Sequence, residues 1–372
     1  MVRLEIHIMK IVLLTGIYPP AIGGPATYSR NLAKELSAVG HSITVVTYGH
    51  DEPPAPGDHW NIIRVGFGIP IFRWFRYAKA IREHAADADI VYAFSSVSCG
   101  MPLWLSGIKK PKRILRLGGD FLWERYTDRG GTMALREWYA HDGRGMRLIG
   151  KILRQFRHIV FSTEFQKEIY EEQYPHLPEH SVIENALQAI QQSTADSRQL
   201  RPHKPFRLLF MGRFVGFKNL FSLLEAMPQI SDCVLTLVGD GPLDDPLRKA
   251  AERLKLHGRV QFVAPVGGKD RQEIFAKHDL LILPSLTEIS PNVALEAAAA
   301  GLPVLLTEEH GLSEHLLGAI DVASLRTSEQ ITIAVRDIRE SYATAVATHA
   351  HGERAWKTVA AEHVALFQRL LD

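Results

Sequence analysis

The chain reads as an α/β protein built from two doubly wound, Rossmann-like domains facing each other across a cleft, and three observations predict this. Short apolar runs of strand length alternate with amphipathic helical stretches along nearly all of the 372 residues. The alternation starts afresh after a polar, irregular stretch at 188–205 that carries two prolines. The two series also share a design. DADIVYAFSS (Asp87 to Ser96) and KHDLLILPS (Lys277 to Ser285) each pass from a polar helix end through an aspartate into a buried strand that finishes on serine.

Taken in order, Lys10 to Leu14 is a strand, followed by a loop holding Pro19, Pro20, Gly23 and Gly24 and by a helix whose Tyr28, Leu32 and Leu36 share one face. Gly40 closes that helix and Ile43 to Tyr48 returns as a strand, a unit expected to be parallel and right-handed. Asp87 to Phe94, Lys112 to Asp120 and Arg157 to Thr163 supply further strands of the same sheet. The second series runs Phe206 to Phe214, a helix over Leu220 to Met227, a strand ending in VGDGP, a helix over Leu243 to Lys255, and Arg259 to Pro265. It then continues with LLILPS, a helix from Pro291 and the strand PVLLT. These patterns predict an N-terminal domain over 9–190, a second over 200–352, and a terminal helix over 353–372. Trp356, Val359, His363, Phe367 and Leu370 give that helix a buried face, which would serve within one domain or cross back to the first.

Bulk properties narrow the function. A net charge of +2 disfavours a dedicated nucleic-acid binder. Two distant cysteines, Cys99 and Cys233, suggest a reducing, cytoplasmic setting with no disulfide or metal motif. No apolar run approaches a membrane span, and the run Ile8 to Ile17 ends at Tyr18-Pro19-Pro20 without a cleavage site, so it reads as a strand. Met9 offers an alternative start to Met1. None of the 17 histidines has zinc-like spacing, Asp87-Ala88-Asp89 falls where a helix hands over to a strand, and no GxGxxG follows the first strand. No metal or organic cofactor is therefore expected.

The densest chemical signal runs from Thr287 to Leu306. Ser290 is a suitable N-cap, Pro291 a suitable first helical residue and Gly301 a suitable left-handed terminator. The start of such a helix gathers unpaired amides and partial positive charge, which favour an anion. Glu288 precedes this point; Glu296 lies about 8 Å along the helix from it at 1.5 Å per residue, so the pair suits two parts of one elongated ligand. At the end of the first strand of the second half, GRFVGFKN brings Arg213 and Lys218, a guanidinium fork and an ammonium fit for a diphosphate. GDGP, from Gly239, lies at the next strand end. A solvated role for each residue alone is the simpler reading; three strand-end features on one sheet edge point to a nucleotide sugar.

GRFVGFKN, VGDGP, the LPS strand, Glu288 with Glu296, AAGLPV and the early GGPATYSRNLAKEL together resemble the retaining glycosyltransferases of family 4, which have the GT-B fold. The resemblance covers nearly the whole chain from Met9 and is strongest between Phe206 and Leu306. It implies that Arg213 and Lys218 hold the donor diphosphate and that Glu296 bonds the ribose hydroxyls. It also implies that Glu288, with the amides after Ser290 at Asn292 and Val293, holds the transferred sugar, and that Gly23 and Gly24 let the first loop approach the donor. The implied reaction moves a sugar from a nucleotide-diphosphate donor to a hydroxyl of a carbohydrate or lipid-linked acceptor. Many members carry a histidine at the end of the strand that here reads ILRLGGD; this chain has Asp120, which would orient acceptor or donor sugar or cap the next helix with Trp123 and Glu124. A sugar-nucleotide epimerase and a non-catalytic nucleotide-sugar-binding subunit are the competing readings.

Between Lys109 and Arg157 there are 13 Lys or Arg against 5 Asp or Glu, interleaved with Leu103, Trp104, Phe121, Trp123, Trp138, Tyr139, Leu148, Ile152 and Phe156 nearby. A basic amphipathic surface of this kind would lie on anionic lipid at the inner face of the cell membrane, and IFRWFRYAKAIR (Ile71 to Arg82) is a second such stretch. The plainer account is a solvated helix face with its aromatics turned inward.

Overall fold

In the computed structural model, described over residues 8–21, 23–50, 52–141, 145–186, 202–318, 320–342 and 354–372, the elements alternate as expected. The first half runs β1 (Lys10–Thr15), α1 (Gly24–Ala38), β2 (Ser42–Tyr48), β3 (Asn61–Val65), α2 (Pro70–Ala85), β4 (Ile90–Ala93), α3 (Gly100–Ser106) and β5 (Lys112–Leu117). It continues with α4 (Phe121–Thr127), α5 (Leu135–His141), α6 (Met146–Leu153), β6 (His158–Phe161), α7 (Glu164–Gln173) and β7 (Glu179–Val182). The second half runs β8 (Phe206–Met211), α8 (Leu220–Ala226), β9 (Cys233–Val238), α9 (Asp244–Arg253), β10 (Val260–Val263), α10 (Gly268–Ala276) and β11 (Leu280–Leu283). It closes with α11 (Asn292–Ala299), β12 (Val304–Thr307), α12 (Glu314–Leu317), β13 (Ile320–Ala323), α13 (Ser328–Glu340) and a terminal α14 (Trp356–Leu371). Residues 188–201 of the expected linker, residue 187 before it, and 1–7 ahead of Met9 lie outside the described residues.

The first sheet has the order β3-β2-β1-β4-β5-β6-β7 and the second β10-β9-β8-β11-β12-β13, and every pairing is parallel. Both sheets are flanked by helices and are Rossmann-like, as in the GT-B fold. Central strands are buried on both faces, which is why IVLL of β1 and LLIL of β11 are continuous apolar runs rather than alternating ones. In each sheet the order reverses next to the first strand, between β1 and β4 and between β8 and β11. Loops leaving the carboxyl ends of two neighbouring strands there diverge to opposite faces and open a crevice.

The chain divides into two compact units, and neither is contiguous. The first contains 1–121, 142–186 and 354–372. Its core runs from Ile11, Leu13 and Val45 through Tyr28 and Leu32 to Val359, Phe367 and Leu370, so α14 packs here, against α1. His363 of α14 is fully buried between the hydroxyls of Tyr92, at 3.0 Å, and Tyr28, at 3.4 Å, and its Nδ1 lies 2.7 Å from the Val359 carbonyl. Burial, reinforced by the Arg116 charge, lowers its pKa to about 3, so the ring is neutral. The second unit contains 187–353 together with 122–141, a strap that was expected among the first-half elements.

The basic stretch Lys109 to Arg157 is shared between the two units, and most of its apolar neighbours are interior: Leu103, Trp123, Trp138, Tyr139, Ile152 and Phe156 are all buried. The inward-turned account holds for those six side chains, whereas Trp104, Phe121 and Leu148 are exposed. Among the described residues, no helix is long and apolar enough to cross a membrane.

Candidate functional site

At the carboxyl ends of β8 and β11 in the second unit, two of the charged residues singled out above, Lys218 and Glu288, come together. The loop after β8 is shaped by close backbone packing. A Cβ on Gly239, at φ 153°, would collide with the Gly212 carbonyl, and one on Gly241, at φ 151°, with the Phe214 carbonyl. Glycine at both positions lets the GDGP turn lie on the GRF segment, where the Phe214 amide donates to the Asp240 carbonyl at 2.6 Å and the Leu243 amide to the Phe214 carbonyl at 3.2 Å. The loop ends at Asn219 in the left-handed region, φ 55°, a conformation asparagine tolerates. Its Nδ2 donates to the Leu325 and Arg326 carbonyls at 3.0 and 3.1 Å, and its Oδ1 accepts from Ser222 at 2.8 Å.

Lys218 is thereby presented toward the loop after β11. Its Nζ lies 2.5 Å from Oε1 of Glu288, which also accepts from the Ser285 hydroxyl at 2.5 Å. Glu288 is buried and Lys218 nearly so, and a buried carboxylate so paired stays ordered. The backbone of Glu288 is fixed as well: its amide donates to the Glu309 carbonyl at 2.8 Å and its carbonyl accepts from the Gly311 amide at 2.8 Å. His310, which bridges to Glu288 through the backbone, has its pKa lowered by burial. Arg213, expected beside Lys218, stands exposed just past β8, and among the described residues its guanidinium has no hydrogen-bond partner.

The helix start differs from the expectation by one residue. Pro291 occupies the N-cap position and α11 begins at Asn292. Pro291 has no side-chain group to cap the helix; beside it the Ser290 hydroxyl lies 3.4 Å from Asn292 Oδ1, and the Asn292 amide turns back to the Ser290 carbonyl at 2.9 Å. Proline fixes φ at this N-cap. Val293 sits one residue further, in the first turn. Glu296, within the helix, pairs with Arg271 of α10, a residue the sequence reading did not single out. Nothing in GGKDRQEI distinguishes Arg271 from its basic neighbours; only the fold at the β10 strand end brings it to Glu296.

The strap grips both loops. Trp123 is buried and packs against Phe217 with the rings tilted by 39° and their centroids 5.3 Å apart, and Lys218 Nζ lies 4.9 Å from the centroid of the Phe217 ring. Asp128 Oδ1 accepts from the Gly216 amide at 3.3 Å, and a Cβ on Gly216 would strike the Thr127 carbonyl. At its other end the Leu135 amide donates to the Thr287 hydroxyl at 2.9 Å, next to Glu288, and Arg326 pairs with Glu137 at 3.0 Å.

The remaining candidates belong to the first unit. Gly23 caps α1 at φ 157°, and a Cβ there would crowd Ile17 at 2.7 Å. Around Gly24 a Cβ would meet nothing within 4 Å. Asp120 follows β5 and is buried; its Oδ2 accepts from the Tyr170 hydroxyl at 2.7 Å, and Gln166 Nε2 donates to the Gly119 carbonyl at 3.2 Å. Tyr170 and Gln166 of α7 thus carry this turn, which sequence spacing gave no means of pairing.

Comparison with known proteins accords with this architecture. Residues 22–188 match the family model Glycosyltransferase Family 4 and residues 205–350 match Glycosyl transferases group 1. An uncharacterized glycosyltransferase of Methanocaldococcus jannaschii is 26% identical over 339 residues, 82% of each chain. Sucrose-phosphate synthase of Thermosynechococcus elongatus superposes with a TM-score of 0.77 at 18% identity, covering 97% of this chain and 99% of that one. HepE of Anabaena, solved with UDP and glucose, superposes with a TM-score of 0.68 at 16% identity over 98% of both chains. The chain is thus a GT-B-fold relative of the family 4 and group 1 glycosyltransferases.

Proposed function

We propose that the chain is a retaining glycosyltransferase that moves a sugar from a nucleoside-diphosphate donor to a hydroxyl of a carbohydrate or lipid-linked acceptor. The observation that carries this reading is the meeting of Lys218 with Glu288 ahead of the first turn of α11, at the crevice where the strand order reverses. The family matches give the reaction class, and the HepE complex gives an instance of the ligand chemistry in the same fold.

In this reading Lys218 exchanges Glu288 for the donor diphosphate, and exposed Arg213 swings to the same group. Negative charge grows on the diphosphate as the glycosidic bond breaks, so these cations and the Val293 amide stabilise the transition state more than the bound donor. Glu288, held by Ser285 and its backbone bonds, accepts from hydroxyls of the transferred sugar together with the amides at Asn292 and Val293. Glu296, oriented by Arg271, accepts from the ribose hydroxyls. Gly239 keeps the adjoining turn close to the diphosphate. Gly23 has a conformational reason to be glycine; Gly24 has none within the fold, which suits a backbone that a ligand approaches. Asp120, fixed by Tyr170, orients the acceptor or donor sugar. The acceptor proton leaves with the departing phosphate.

The test is incubation with a panel of nucleoside-diphosphate sugars and soluble or lipid-linked acceptors, followed by assay of nucleoside diphosphate and the anomeric configuration of the product. Acceptor-dependent release with configuration kept is expected, and Glu296→Ala should raise the donor KM more than the acceptor KM. An isomerised donor, or tight binding with no turnover, would overturn the assignment.

A further inference from the structure

The first unit carries an apolar and basic face that its own core leaves uncovered. Phe67 and Ile69 in the loop before α2, Phe72 and Phe75 on α2, and Trp104 on α3 are each more than half exposed. α3 packs against α2, so the two helices present neighbouring surfaces.

The helical repeat sorts α2 sharply. Tyr77, Ile81 and Ala85 are fully buried, whereas Phe72, Phe75, Arg76, Lys79 and Glu83, three or four residues apart, share the outer face. Aromatics occupy its first two turns and charge its later turns. α2 holds four Arg or Lys and a single acid, Glu83. Lys109 and Lys110, both exposed, follow directly after α3. The loop is also held in place: Arg76 donates to the Gly66 and Phe67 carbonyls, both at 2.9 Å.

Exposed aromatics of this size are costly in water, and a cationic surround repels basic partners. We infer that the loop before α2, with α2 and α3, is a docking face for an anionic lipid bilayer, into whose interface Phe67, Ile69, Phe72, Phe75 and Trp104 insert while the basic side chains meet the headgroups. Charge complementarity and the segregation of aromatic from basic turns select this occupant. It takes in Trp104, Lys109 and Lys110 at the edge of the basic stretch and, unlike the buried Trp123, Trp138, Ile152 and Phe156 there, keeps its apolar side chains outside. It is independent of the transfer reaction, so binding is read without substrate.

The full chain is floated with vesicles of phosphatidylcholine alone and with about 30% phosphatidylglycerol, in about 0.05 and about 0.5 M salt. Expected is co-flotation with the anionic vesicles that weakens at high salt. Phe72→Ser with Phe75→Ser should lower the partition coefficient about tenfold or more, and Lys79→Glu with Lys109→Glu should lower it about tenfold. Ile333→Ser, exposed in the second unit, should leave it unchanged. These positions are solvent-facing, and an unaltered thermal midpoint verifies that each variant folds. Failure of the wild-type chain to float at low salt, or wild-type flotation of the aromatic variant, would overturn the inference. So would sedimentation showing that the aromatic variant turns a dimer into a monomer, which assigns the face to a second copy.

Discussion

The two sheets share a plan at one end and diverge at the other. At the amino ends, each sheet uses an aspartate before the strand across the reversal to hold its first strand. Asp89 Oδ2 accepts from the Lys10 amide at 2.8 Å while the Asp89 amide returns a bond to the Lys10 carbonyl at 3.0 Å. Asp279 Oδ2 accepts from the Arg207 amide at 2.7 Å and its amide returns one to the Arg207 carbonyl at 2.9 Å. At the carboxyl ends of the same strands, the first unit brings Gly16 against Ser98, where a Cβ would lie 3.2 Å from the hydroxyl, and the second brings Lys218 against Glu288. The clamp recurs because every such sheet must fix its register. The strand-end chemistry differs because only there do loops leave the sheet free to vary.

The largest expected effect breaks the contrast at the crevice. Lys218→Ala should lower kcat about 100- to 1,000-fold, whereas Ser98→Ala at the matching place in the first unit should stay within about threefold. Steady-state kinetics on both variants check this; equal losses would erase the distinction between the crevices.

Next comes the shared clamp, which should be unequal in strength. Asp279 is buried and also holds His203 through its amide, at 3.1 Å, and its ring, at 2.7 Å, so Asp279→Ala strands several donors. It should cost about 3 kcal/mol, and Asp89→Ala about 1 kcal/mol. Denaturant unfolding, with hydrogen exchange read separately on β8 and β1, measures both; a larger loss at Asp89 would contradict the ranking.

The smallest effect concerns acid. His363 and His158 in the first unit have folded pKa values of about 3 and about 4, below the ordinary 6.5, chiefly through burial. Their depressed values mean that the unfolded chain binds more protons below pH 6.5, so their contribution is complete above that pH. It declines as pH falls toward 4 and 3, by up to about 1.4 kcal/mol per pH unit for each group. Amides of β1 and β6 should therefore lose exchange protection between pH 6 and 4. Protection that is flat across this window would remove the histidines as the cause.

The comparison also separates what periodicity reveals from what it hides. Central strands such as LLIL were readable because burial on both faces demands an unbroken apolar run. Asn61–Val65, Glu179–Val182 and Ile320–Ala323 were not: each is an outermost strand whose mixed exposure removes the unbroken apolar run, and of the outermost strands only Val260–Val263, in RVQFVAP, was read. The resemblance marked Arg213, Lys218, Glu288 and Glu296 because chemistry restricts those residue types at those spacings. Arg271 and Tyr170 escaped because a supporting partner is defined by where another element brings it. The strap at 122–141 escaped for the same reason: its helices look like any short amphipathic pieces until Trp123 is seen on Phe217.

By itself the sequence determined the parallel α/β class, the restart of the pattern and the strand-end glycines and charges, because these follow from local burial, backbone conformation and residue chemistry. Only the tertiary structure decided that Lys218 meets Glu288, that α14 joins the first core and that the aromatics of α2 stay outside. Those outcomes depend on contacts between residues far apart in the chain, whose geometry no local pattern contains.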